Sequence, residues 1–150
     1  MKMFPSRILA LSLLLALPLC VQAQTPLPGH PPMPGQPGAK SMTCEEALKQ
    51  APKLDPSLAP LDKAFKDADA QLKKSPKDEK AKKTYVEAAY KYGKTAEDNV
   101  SQKLSRPVQY RAALALYRRA LAVDPKHKPS LDEKRKIDEI YASMPGGVPK

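Results

Sequence analysis

The chain has 150 residues, 26 Lys plus Arg against 16 Asp plus Glu, a formal charge of +10, 17 prolines, two cysteines and no tryptophan. That length sets one domain as the prior and excludes a large two-lobed enzyme built around a buried cofactor. The averages conceal a split: hydrophobic residues crowd 1–23, prolines crowd 24–38, and the remainder is charged, alanine-rich and helical in character.

Residues 1–23 read as a secretory signal peptide. Lys2 and Arg7 form a basic start, an apolar run follows from Ile8 to Leu17, and Val21-Gln22-Ala23 supplies the small residues a signal peptidase needs. Pro18 interrupts the apolar run well short of the roughly 20 residues that span a bilayer. Leu19 before Cys20 is too large for a lipoprotein cleavage site. Cleavage after Ala23 removes Lys2 and Arg7, so the formal charge falls from +10 to +8. It also removes Cys20 and leaves Cys44 as the one thiol, which excludes an internal disulfide framework. Cys44 itself is expected to be a small, partly buried residue in a first helical turn. The implied location is periplasmic or extracellular, with the brevity of the leader leaning bacterial.

Residues 24–41 read as a disordered Pro/Gly-rich linker. Prolines at 26, 28, 31, 32, 34 and 37 remove backbone donors, and the glycines break any regular element. P-x-x-P spacings start at Pro28, Pro31 and Pro34 and suit an aromatic groove, but a plain spacer explains the same composition.

From residue 42 to 150 the signals are helical with frequent stops. Thr43 and Glu46 make a capping box for a helix to about Gln50, which Pro52 ends. Leu58, Leu61, Phe65, Ala68 and Leu72 form one apolar seam on a helix over 60–74. Ser75-Pro76 reads as an N-cap and first-turn proline. A long helix then runs to about Leu104, with Ala81, Tyr85, Ala88, Ala89, Tyr92, Ala96 and Val100 inward and a kink at Gly93. Pro107 opens the next helix, to Val123, and Asp124-Pro125 closes it. Ser130 and Glu133 read as a capping box for a last helix carrying Leu131, Ile137, Ile140, Tyr141 and Met144, with Asp132 to Lys136 on its outer side. No strand signal appears. The expected fold is all-α, with short turns making neighbouring helices antiparallel.

Within AALALYRRALAVDP, Ala113, Tyr117, Ala120 and Pro125 are spaced by 4, 3 and 5 residues, accompanied by Leu114 and Leu121. This stretch resembles the second helix of a tetratricopeptide repeat, whose small, aromatic, small and proline positions have those spacings. Tyr85, Ala88, Ala89 and Tyr92 match the spacing of the family's first-helix pattern, Trp-x-x-Leu-Gly-x-x-Tyr, with softened residues. The gap from there to Ala113 exceeds the family's by about a dozen residues. The resemblance therefore implies one elongated repeat over about 85–125, flanked by partial hairpins, as a fragment of an α-solenoid with the last helix as polar cap. It further implies a binding module for a protein or peptide partner, not an enzyme, with a groove lined by the first helix. The candidates there are Lys91, Lys94, Thr95, Asp98, Asn99 and Gln102.

Catalytic and metal motifs are missing from the sequence. His30 and His127 stand apart, and no C-x-x-C or H-x-x-x-H spacing occurs. His127 lies between Lys126 and Lys128 with no evident carboxylate to orient it. Asp62 with Lys66 and Asp69 with Lys73 are spaced as solubility pairs. No cofactor, metal or nucleic acid is expected. The alternative is a basic binder of polyanions or membrane surfaces, through Lys73, Lys74, Lys77, Lys80, Lys82 and Lys83. A third reading is a structural fragment that pairs its helices only on oligomerising, because large apolar side chains are few.

Overall fold

A computed structural model describes residues 42–149, so the expected signal peptide and the whole of the expected linker lie outside the described residues. Those described are all-α: α1 (Cys44–Leu54), a single 3-10 turn (Pro56–Leu58), α2 (Ala59–Lys74), α3 (Glu79–Asp98), α4 (Arg106–Val123) and α5 (Lys128–Ala142). No helix among them is long and apolar enough to cross a membrane.

Local chemistry explains most boundaries. At α1, the Glu46 N–H donates to Thr43 Oγ1 at 3.1 Å and the Thr43 N–H donates to Glu46 Oε2 at 2.8 Å, a reciprocal cap of the kind that adds about 1 kcal/mol. Pro52 does not end this helix as its sequence suggests. It sits within the last turn, where only the bond to Leu48 is forfeited, and the Asp55 N–H closes the helix on the Ala51 carbonyl. The α3 cap is Asp78, not Ser75, since the Asp78 side chain accepts from the Lys80 N–H at 2.9 Å and Pro76 falls in the turn before it.

α3 stops six residues before the expected Leu104. Asn99 adopts a left-handed conformation (φ 42°, ψ 47°), and its side chain accepts from the Leu104 N–H at 3.1 Å and donates to the Leu104 carbonyl at 2.8 Å. Asparagine tolerates this conformation better than most residues and so ends the helix. Val100, expected to face inward, is 85% exposed in the loop that follows. The last helix begins at Lys128, with Pro129 in its first turn. Ser130 is therefore inside the helix, with its hydroxyl 2.9 Å from His127 Nδ1, and the expected Ser130–Glu133 box does not form. Ile137 and Tyr141 are buried, whereas Leu131 and Met144 are exposed.

α4 is the centre of the core. Residues 112–117 are buried without interruption, as befits a helix surrounded on several sides. α3, α1 and α5 pack around it, and α2 packs on α3. α1 presents Cys44, Ala47, Leu48 and Ala51 inward and scarcely meets α2, so the first two helices do not form the hairpin expected upstream of the repeat.

Phe65 of α2 fills the α2–α3 seam. Its ring centroid lies 5.2 Å from that of Tyr85 and 6.5 Å from that of Tyr92, and the Arg119 guanidinium covers it at 5.6 Å. Arg119 also pairs with Glu45 at 2.5 Å, linking α4 to α1. At the opposite corner Asp55, 2% exposed, accepts from the Ser57 N–H, the Ser57 hydroxyl and the Ser101 hydroxyl, tying the α1–α2 corner to the α3–α4 loop.

Candidate functional site

The α3–α4 hairpin is unusually close. A β-carbon on Gly93 would lie 2.8 Å from Tyr117 Cε1 and 3.3 Å from Leu116 Cβ. Gly93 introduces no break in α3; its bare backbone instead admits the Tyr117 ring. Ala113, Leu114, Tyr117 and Ala120 are completely buried, as are Ala89 and Tyr92, while Tyr85 is nearly so. Ala88 is half-buried against the same core. Leu121 is half-buried, and Pro125 lies exposed in the α4–α5 turn. The Tyr117 hydroxyl donates to Glu97 Oε2 at 2.6 Å, and the Gln109 side-chain amide donates to the Glu97 carbonyl. Burial pushes the Glu97 carboxyl up, against the opposing pull of that hydroxyl and of Lys94.

Beside the hairpin, α3 and α5 share a polar strip. Lys94 pairs with Asp98 at 2.8 Å and reaches Glu133 of α5 at 3.9 Å. The Asp98 hydrogen bond holds the Lys94 ammonium above its ordinary value. Glu133, expected on the outer side of the last helix, has a side chain only 12% exposed here because it turns toward Lys94 and Lys136. One turn before Lys94, Tyr90 packs on Tyr117 (6.1 Å) and edge-on to His127 (5.5 Å). His127 has a carboxylate neighbour after all, Glu87 Oε1 at 3.7 Å, supplied by α3 and therefore invisible from its own sequence neighbours.

The six candidate groove residues divide. Lys91 is exposed on α3, and Lys94 and Asp98 belong to the strip. The Thr95 hydroxyl donates to the Lys91 carbonyl of its own helix at 2.9 Å. Asn99 is the helix terminus, and Gln102 lies in the loop with φ 56° and its N–H on the Asn99 carbonyl. These last two do not join the α3 face, because the helix ends before them. Tyr90, Glu87 and His127 were not among the candidates; the α3–α5 juxtaposition that unites them is a tertiary feature.

The six lysines surround the α2–α3 turn. Lys73 pairs with Asp69 at 2.6 Å and Lys82 with Glu79 at 2.7 Å. Lys74, Lys77, Lys80 and Lys83 are exposed and make no ion pair among the described residues. An open depression lined by Gln71, Lys74, Asp78, Lys80 and Thr84 lies at this turn. Among the described residues, no group of three or more His, Cys, Asp or Glu side chains is arranged to hold a metal ion.

Comparison with protein-family models, with curated proteins and with solved structures finds no match for this chain.

Proposed function

We propose that the chain is an exported, non-catalytic, tetratricopeptide-like module that holds a protein or peptide partner, tethered by its proline-rich segment. The observation that carries this is the contact of Gly93 with Tyr117, flanked by the buried Ala113 and Ala120. It is the packing that a small–aromatic–small second helix needs from a glycine on the first. Taking Gly93 as the glycine of the first-helix pattern places Ala89, Tyr92 and Ala96 at its other three positions, one turn later than Tyr85, Ala88, Ala89 and Tyr92. The end of the pattern then moves four residues nearer Ala113 and shrinks the insertion, whose residues fall in the α3–α4 loop. Ala89 and Ala96 stand where the family has Trp and Tyr, a departure that thins the interface.

The α3–α5 strip is the surface offered, since it combines exposed Lys91 with the half-buried aromatic Tyr90 and charges of both signs. A photo-crosslinking residue at Lys91, compared with one at Lys63 on the exposed side of α2, tests it in the envelope fraction. A discrete adduct specific to position 91 and persisting at high ionic strength supports the adaptor. Equal labelling at both positions, or none at 91, rejects it.

The four unpaired lysines favour a second reading, a basic surface for polyanions or anionic membranes. Retention on acidic vesicles would then fall steeply with salt, and Lys77→Ser with Lys80→Ser would abolish it. Retention that survives both changes rules that surface out.

A further inference from the structure

The start of α1, one face of α4, the end of α5 and the closing segment 143–149 meet around two arginines. Arg111 and Arg118 are seven residues apart on α4, about two helical turns, and so project from the same face. Both are half-buried, and neither is ion-paired with a carboxylate of the described residues. Glu45 bears on the same region, but Arg119 takes it. Arg118 instead donates from Nη2 to the Pro149 carbonyl at 2.7 Å and from Nη1 to the Cys44 sulfur at 3.6 Å. Arg111 lies close enough to Tyr141 for its charge to draw that hydroxyl's pKa down against burial, and its buried Nε–H has no acceptor among the described residues.

A guanidinium withdrawn from water is stable only when an anion or a full set of acceptors replaces the water. Here a neutral carbonyl and a weakly accepting thiol sulfur serve Arg118, and Arg111 Nε has no acceptor among the described residues. A buried N–H left over in this way calls for a physical explanation. The planar fork of arginine matches the paired oxygens of a carboxylate or phosphate. Arg118 contacts the Cys44 sulfur directly, and both arginine charges oppose the burial that pushes the Cys44 thiol up.

We propose that Arg111 and Arg118 form a site for an oxyanion, a carboxylate or phosphate group, with segment 143–149 as the strap that yields when the anion binds. The Pro149 carbonyl stands on Arg118 where an oxygen of the anion would sit. Cys44, 3% exposed and in contact with the same carbonyl at 3.9 Å, lies under the strap and reports its opening. The site shares no residue with the α3–α5 strip, so it is independent of the partner-binding proposal.

The test follows alkylation of Cys44 by iodoacetamide, a neutral reagent, in the full chain, read by mass spectrometry of the Cys44 peptide. Chloride is replaced by inorganic phosphate or by acetate at constant ionic strength. The expected result is a saturable, severalfold rise in rate, and the anion that saturates at lower concentration identifies the preferred group. Arg118→Gln should raise the basal rate and abolish the saturable response, whereas Arg119→Gln, whose charge Glu45 matches, should keep it. A rate that is unchanged or slowed by both anions, or that follows ionic strength alone, overturns the proposal without recourse to any variant. A response retained in Arg118→Gln overturns it as well.

Discussion

The Tyr117 hydroxyl and the Glu97 carboxylate join α4 to α3 one turn beyond the point where the Tyr117 ring covers Gly93. Burial raises the Glu97 carboxyl above its ordinary value of 4.5, with Tyr117 and Lys94 opposing. The folded state therefore favours the protonated form. The stability gained from this group is full below the unfolded value and is lost as pH rises through the folded one. Glu97→Gln keeps an acceptor for Tyr117 and removes the buried charge. Thermal melts from pH 4.5 to neutrality should show the variant at least as stable as the parent at neutral pH, with a weaker decline as pH rises across that window.

Two buried tyrosines should respond oppositely to loss of their hydroxyls. Tyr117→Phe strands the half-buried Glu97 carboxylate and should cost about 1–3 kcal/mol. The Tyr92 hydroxyl is buried without a partner among the described residues, and burial raises its pKa. Tyr92→Phe removes an unsatisfied group and should leave stability unchanged or raise it by about 1 kcal/mol. Urea midpoints of the two variants decide the sign.

Asp55 has the opposite pH sign to Glu97. The Ser101 hydroxyl, with Ser57 assisting, holds its carboxyl below the ordinary 3.8. Its stabilisation is present above the unfolded value and is lost as pH falls through the lower folded one. Asp55→Ala should cost about 2–3 kcal/mol at neutral pH, from a lost turn cap and a charged hydrogen bond. Acid titration of the variant should lack the parent's decline below pH 3.8.

Phe65 is the one large apolar side chain of α2 that is fully buried, 4% exposed beneath Arg119, with Leu61 and Leu72 only partly covered. Phe65→Ala should cost about 3–5 kcal/mol, and Arg119→Ala only about 1–2 kcal/mol for the lost cation–π contact and the exposed Glu45 ion pair together. Comparable losses for both would show that the guanidinium, not the ring, holds the seam.

Features written within a few residues were legible from the chain. The Thr43–Glu46 box, the seam from Leu58 to Leu72, the opening at Pro107 and the exit at Asp124 depend on local hydrogen bonds or on one helical face. The stop at Asn99 was not, because without a glycine the left-handed terminus becomes evident only when Leu104 folds back onto the Asn99 side chain. The register of α3 was also ambiguous. Tyr85 and Tyr92 are seven residues apart on one face, and the close packing of Gly93 against Tyr117 is visible only once α4 lies beside α3. The union of Glu87, Tyr90 and His127, the grip of Asp55 on Ser101 and the Arg119–Glu45 pair join distant segments that no periodicity connects.

The close hairpin is tested most directly by the stability of Gly93→Ala. On an open helix this change is stabilising by about 1 kcal/mol, since alanine is the better helix former. Here the new methyl group would lie 2.8 Å from Cε1 of a ring that Glu97 and Tyr90 hold in place. Overpacking of this kind costs about 1–3 kcal/mol, so chemical denaturation should show a net loss of stability. A variant more stable than the parent would contradict the close approach of α3 and α4, and with it the repeat-like hairpin.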